Sequence, residues 1–190
     1  MNVQDTWPGN TPAQTTHSFS ILTFQLDGQV YGLPITDIAQ IIEMVTLTHL
    51  PQAPAAIQGI INLHGKIVPV LDLRLRFGLP AQPYQLHTPI ILADLKRQIL
   101  GLIVDSVEEV LEIAGTDLET SDVILPTELI HAVNGTHPTT YLAGVAKVAR
   151  RLIPLLKTEA ILSQAEQSQL LEQIAGSKVT SSRQQVEERV

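Results

Sequence analysis

Acid–base or metal chemistry in this chain would have to come from six histidines and nineteen carboxylates, because the 190 residues include no cysteine. Thiolate nucleophiles, thiolate zinc sites and disulfides are therefore excluded. His17, His49, His64, His87, His131 and His137 never fall at the i, i+4 spacing that lets two imidazoles on one helix face grip a metal. His131 and His137 could meet only through a loop. The ordinary reading of each histidine is a surface or internally satisfied imidazole. Glu108 and Glu109 are sequence neighbours, so on a strand they point to opposite faces and do not form an acid–base pair. No Gly-x-Gly-x-x-Gly run, phosphate-binding glycine loop or Gly-x-Ser-x-Gly elbow occurs. These residues point to binding rather than to a reaction, with no metal and no cofactor expected.

The charge pattern narrows the class of partner. The net charge is −7, which argues against nucleic acid, since a phosphate backbone needs a basic face. Between Arg97 and Lys147 there is no Lys or Arg. That stretch holds Asp105, Glu108, Glu109, Glu112, Asp117, Glu119, Asp122 and Glu128. The simpler account is a solvated acidic face, and the alternative is a surface that selects a basic partner. No run approaches the roughly 18 apolar residues that span a bilayer. Met1 to Ser18 has neither a basic start nor an apolar block. A cytoplasmic protein with no direct membrane insertion is expected. The Asn134-Gly135-Thr136 glycosylation pattern carries no weight without secretion.

The elements that must position these residues are mostly strands. Apolar residues make up 44% of the chain, yet only seven residues are aromatic, so the core is aliphatic. Residues 1–17 read as a flexible polar arm. Residues 19–27 and 29–35 form a hairpin across Asp27-Gly28. Ile38 to Val45 fits either a helix face or a buried strand. Ile57 to Leu63 and Lys66 to Leu71 pair across His64-Gly65. Pro69 cannot donate to a ladder, which predicts an edge or a bulge there. Pro89 to Ala93 and Ile99 to Val104 look buried on both faces. Asp105 to Ile113 is ambiguous, and residues 114–140 read as loop. Tyr141 to Val148 and Leu152 to Leu156 form a further pair. Thr158 is the expected cap of a final helix that uses Leu162, Leu170, Leu171 and Ile174 and ends at Gly176. A polar tail follows. Many short strands with few helices predict a β-barrel or sandwich class.

One segment is far more specific. Residues 50–76 read LPQAPAAIQGIINLHGKIVPVLDLRLR. This run resembles the signature of the CheW-like chemotaxis adaptor family. It carries Pro51, Pro54, Ile57, Gly59, Ile61-Asn62-Leu63, Gly65, Ile67, Pro69, Val70, Asp72, Leu73 and Arg74 in the family order. Phe24 to Gly32, Gly101 to Val107 (with Asp105) and Leu152 to Leu156 are similar to the family's flanking strands. The resemblance covers about residues 18–162.

The resemblance implies a mainly β fold of two interlocked, five-stranded, SH3-like barrels with a C-terminal helix. It implies an arm at 1–17, a CheW-like domain at 18–162, and a helix and polar tail at 163–190. It implies a non-enzymatic scaffold that couples a methyl-accepting chemotaxis-type receptor to the regulatory domain of a CheA-type histidine kinase, recruited to membrane-associated receptor arrays. The residues it places at the receptor or partner groove are Gln40, Asn62, Leu63, His64 and Gly65. Gly59, Pro69, Asp72, Arg74 and Asp105 are its structural signature. Taken by themselves, Gly65 suits a turn with positive φ, Asn62 can bridge backbone groups there, and Asp72 can cap the segment that follows. Two positions depart from the family pattern: His64 stands where arginine is usual, and Gln40 where glutamate is usual. A charged pair at the groove would become neutral, which retunes receptor contact or is drift at a weak exposed pair. The competing class is a ligand-binding or hydrolytic β-barrel, which needs convergent polar groups in a pocket.

Overall fold

The computed structural model describes residues 18–95, 98–120 and 141–174. The chain begins in one sheet, crosses into a second, and returns. β1 (Ser18–Leu26) and β2 (Gln29–Pro34) open the first sheet. β3 (Ile38–Glu43), β4 (Ile57–Leu63), β5 (Lys66–Asp72), β6 (Pro89–Asp94) and β7 (Ile99–Ile103) build the second, in the order β3-β6-β7-β5-β4. β8 (Ser106–Ala114), β9 (Leu118–Thr120), β10 (Leu142–Val148) and β11 (Arg151–Leu156) complete the first, in the order β8-β1-β2-β11-β10-β9. Two helices are described: α1 (Leu73–Arg76) and α2 over residues 164–174. None is long and apolar enough to cross a membrane.

Both sheets curl strongly. β8 and β9 are opposite edges of the first sheet, yet only the 3-10 turn Gly115–Asp117 separates them. Three residues reach about 11 Å at most, so the edges must approach. In the second sheet Thr48, beyond β3, bridges Ile60 of β4 with N–H···O distances of 2.9 and 2.8 Å. Gly59 allows this closure. A Cβ there would lie 2.5 Å from the Thr48 carbonyl oxygen. Neither ladder runs continuously around. The mainly β class and the C-terminal helix match expectation, while the closed five-stranded barrels become open, curled sheets of six and five strands. The sixth strand is β9, inside the segment expected to be loop. It pairs with β10 so closely that a Cβ on Gly144 would meet the Glu119 carbonyl oxygen at 2.5 Å.

Apolar side chains form three cores. One fills the curl of the first sheet around Ile21, Ile113, Ile153 and Leu155. Another fills the second sheet around Ile61, Val70, Ile90 and Leu92. The largest lies between the sheets and takes Leu22, Phe24 and Leu33 from one, Leu71, Ile91 and Leu102 from the other, and Leu170 from α2. A line of rings crosses this junction: Phe24 to Tyr31 at 6.0 Å, Tyr31 to Phe77 at 5.7 Å and Phe77 to Tyr141 at 5.8 Å. Aromatic pairs at such spacing add to burial through their quadrupoles.

Three further details differ from the sequence reading or resolve it. Residues 38–43 and 106–114 are strands, so β-branched content outweighs their helical spacing. Pro69 is buried in β5, one residue before the β5–β7 ladder begins at Val70 and beside the bulge of β4 between Ile57 and Gly59, so the bulge alternative fits and no exposed edge is presented. It is tolerated because its β4 partner, Ile60, turns its own N–H and C=O toward Thr48, so the ladder needs no donor from Pro69 on that side. The cap of α2 is Ser163 rather than Thr158. Ser163 Oγ accepts from Glu166 N at 3.3 Å while Glu166 Oε2 accepts from Ser163 N at 2.9 Å, a reciprocal capping box. Thr158 opens a 3-10 turn and donates to Asp37 Oδ2 at 2.8 Å. Residues 1–17, Asn134-Gly135-Thr136, His131, His137, Gly176 and the tail lie outside the described residues.

Candidate functional site

The expected site residues fall into two groups. Asp72, Arg74 and Asp105 come together. Asp72 ends β5 and caps α1: its Oδ1 accepts from Arg74 N at 2.7 Å and Leu75 N at 3.3 Å. Its Oδ2 accepts from the Tyr84 hydroxyl at 2.6 Å. The Arg74 side chain is 5% exposed. Its Nη1 donates to Asp105 Oδ2 at 2.5 Å, its Nη2 to Asp27 Oδ1 at 2.7 Å and its Nε to the Pro80 carbonyl at 2.9 Å. Asp105 Oδ2 also accepts from Asp27 N at 2.8 Å. Asp27 sits in the β1–β2 turn of the first sheet, Arg74 just after β5 of the second, and Asp105 where the chain passes from β7 to β8. One buried guanidinium thus ties both sheets and their crossing.

The electrostatics fit a fixed lock. Burial alone would lower the Arg74 pKa, but the hydrogen bonds and charges of Asp105 and Asp27 raise it above its ordinary value. Burial, reinforced by Asp72, pushes the Tyr84 hydroxyl well above its usual range, so it remains a donor. A shallow pocket of about 200 Å³ adjoins the lock, lined in part by Asp72, Arg74, Tyr84, His87 and Asp105. Asp72, Arg74, Tyr84 and Asp105 are there taken up by hydrogen bonds and ion pairs within the fold. No group of three His, Asp or Glu among the described residues could hold a metal ion.

The other expected residues lie on the second sheet. Gln40 is exposed on β3, opposite Leu92. Asn62, His64 and Gly65 are exposed at the β4–β5 turn, and Leu63 is half-buried against the core of that sheet. His64 and Gly65 take φ of 49° and 85°, and Asn62 Oδ1 accepts from Gly65 N at 2.8 Å. This two-residue turn matches the twist of its strands. β3 and β4 are the two edges that the Thr48–Ile60 bridge draws together. Around them Ile41 and Val45 are exposed, and Ile42, Met44 and Leu47 only partly buried. Among the described residues no hydrogen bond joins Gln40 to His64, so the structure does not pair them.

Sequence reasoning missed Asp27 as an ionic partner, Tyr84, and the pair of Arg76 with Glu166. Arg76 meets Glu166 bidentately at 2.7 and 2.8 Å and lies 5.2 Å from the Tyr141 ring centroid. The spacing Ser163-x-x-Glu166 was a readable signal for the cap, whereas partners drawn from distant segments leave no local signal.

Comparison with known proteins agrees with this architecture. The family described as "CheW-like domain" matches residues 20–166. A probable chemotaxis protein CheW of Rhizobium etli is 30% identical over 147 residues, which cover 77% of this chain and 88% of the relative. The chemotaxis protein CheW of Klebsiella aerogenes is 30% identical over 156 residues, covering 82% and 88%. The crystal structure of the scaffolding protein TtCheW from Thermoanaerobacter tengcongensis superposes with a TM-score of 0.66 at 32% identity, covering 76% of this chain and 92% of that one. A buried lock built on the signature residues, two interlocked curled sheets and a match over most of the length lead to one conclusion: the chain belongs to the CheW-like domain family.

Proposed function

We propose that this protein is a non-enzymatic adaptor that couples a methyl-accepting chemotaxis-type receptor to the regulatory domain of a CheA-type histidine kinase. The observation that supports it is the joining of two sheets into one body by the inter-sheet core and the Arg74 lock. A body with two faces in fixed relation can hold two partners in fixed geometry, so that the state of one biases the other. The mouth of the second sheet, around Gln40, Leu63, His64, Ile41 and Val45, exposes apolar side chains with Glu43 and Lys66 beside them. That suits an apolar helical receptor tip. Such an adaptor works at membrane-associated receptor arrays without entering the bilayer. The alternative of a ligand-binding or hydrolytic barrel is less well supported, because Asp72, Arg74, Tyr84 and Asp105 at the pocket are engaged in holding the fold together.

Calorimetric titration with the regulatory domain of a chemotaxis-type kinase tests the reading. Saturable one-to-one binding at micromolar affinity or better is expected, and no binding at high concentration would remove the function. On the receptor side, the double substitution Gln40→Glu and His64→Arg is expected to change receptor affinity by about two- to fivefold, the range of an exposed pair. Unchanged affinity would mean that these positions do not tune receptor contact.

A further inference from the structure

The segment between β3 and β4 is pinned along its length. At Thr48 it exchanges two backbone hydrogen bonds with Ile60. At Leu50 it is buried in the inter-sheet core, where Leu170 of α2 also lies. At its far end the Ala56 carbonyl accepts from Asp72 N at 2.8 Å. The remaining pin is Gln52. Its carbonyl accepts from the side-chain amides of Gln169 and Gln173, each at 3.3 Å. Those donors stand about one turn apart on α2, so they lie on one face of the helix. The backbone of Gln52 is itself strained. Pro51 precedes it, Ala53 N donates to the Leu50 carbonyl at 3.4 Å, and Gln52 takes a φ of 61°. Proline followed by a positive φ is the arrangement of a type II turn, whose third position favours glycine. A glutamine there persists only where its surroundings hold it. The two amides from α2 supply such a hold.

The helix is gripped unevenly. Its first turn is fixed by the Ser163 cap and by the bidentate pair of Arg76 with Glu166. Beyond that turn, over residues 167–174, only Leu170 is buried, and Leu171 is 54% exposed. Gln173 Oε1 is buried with no hydrogen-bond partner among the described residues, which costs free energy whenever the helix is seated. A helix with one buried apolar anchor and long amide contacts near solvent belongs to the part of a fold that opens most readily.

We propose that α2 is a strap that lifts beyond its first turn, and that its seating on Gln52 controls the closure of the second sheet at Thr48 and Ile60. His49, Leu50 and Pro51 alone separate Gln52 from Thr48. A buried leucine and a proline of fixed φ leave that link little slack. With α2 seated, the strained turn is held and Thr48 meets Ile60. With α2 lifted, Gln52 relaxes and the edges β3 and β4 part. The strap thereby sets how far the mouth beside Ile41, Val45 and His64 opens. This coupling belongs to the free chain and is read without kinase or receptor, so it fails or succeeds independently of the adaptor proposal.

Amide hydrogen exchange of the full chain, resolved by residue with NMR, tests the inference. Gln169→Ala/Gln173→Ala removes both donors and leaves Leu170 in place. Protection of the Thr48 and Ile60 amides is expected to fall about fivefold or more, the lower end of ordinary coupling between sites. Amides of β7, inside the sheet, are expected to keep theirs. Gln52→Gly relieves the strain of the turn. In that background the same two substitutions are expected to change Thr48 and Ile60 protection by less than about twofold, as for independent sites. Loss of protection confined to α2, with Thr48 and Ile60 unchanged, would overturn the proposal. An equal fall across β7 would overturn it too, because α2 would then support the whole fold rather than the mouth. Coupling undiminished by Gln52→Gly would overturn it by removing the turn from the path.

Discussion

Arg74 ties together three separated parts of the structure. It is buried, it faces two carboxylates, and the two lie on different parts of the chain. Removing one partner of a buried ion pair is costlier than the pair is worth, because the remaining charge loses its solvation without compensation. Asp27 is half exposed and can rehydrate, whereas Asp105, at 26% exposure, can do so less readily. Arg74→Met is therefore expected to cost about 3 kcal/mol in urea unfolding, the low end for such a deletion. A loss below about 0.5 kcal/mol would place it with ordinary surface changes and refute the lock. Gly59 makes a second case, since its role is space. Gly59→Ala forces a methyl group against the Thr48 carbonyl, with an expected loss of about 1–3 kcal/mol. Gly65 differs, because a Cβ there would meet nothing within 4 Å and only its positive φ matters. Gly65→Asn should be tolerated and Gly65→Val should not.

At the scale of elements, α2 is held by its first turn. Glu166 caps Ser163 and grips Arg76, while Leu170 is fully buried in the inter-sheet core. Burial alone would raise the Glu166 pKa, but the Arg76 hydrogen bond and the Ser163 donors outweigh it and hold the carboxyl below its usual value. A folded-state pKa below the unfolded one means that the stabilisation is complete above the ordinary carboxylate value, about 4.3, and is lost as pH falls through the depressed value. Hydrogen-exchange protection over residues 164–174, taken relative to the intrinsic amide rate at each pH, should fall in that acidic window, and Glu166→Gln should remove that fall. Protection in the variant that still falls there would contradict the assignment. Elements such as these were legible in the sequence to the extent that their signals are local. The Asp27-Gly28 and His64-Gly65 turns, the Asp72 cap and the alternating strands could be read directly. Ser163-x-x-Glu166 could have been, but Thr158 competed for the role. Partners such as Asp27, 47 residues from Arg74, or Glu166, 90 residues from Arg76, could not be read at all, because pairing across sheets leaves no periodic trace. Pro69 shows the same limit: a proline predicts an edge or a bulge, and which of the two depends on pairing, here the β4 bulge between Ile57 and Gly59 and a β7 ladder that starts only at Val70.

For the whole molecule, the decisive feature is that the largest core belongs to neither sheet alone. Two units that share their main apolar core and a buried ion network should unfold together. Calorimetry should give one transition with matching calorimetric and van't Hoff enthalpies, and two separate transitions would mean that the sheets are independent. Rigidity of that kind is what an adaptor needs, since coupling requires each partner to sense the other through the body between them. The most direct test is simultaneous occupancy: multi-angle light scattering of the full chain with a kinase regulatory domain and a receptor signalling fragment together. The account predicts a ternary complex whose mass includes all three components, and which Arg74→Met weakens without abolishing either binary contact. Mutually exclusive binding of the two partners would contradict it.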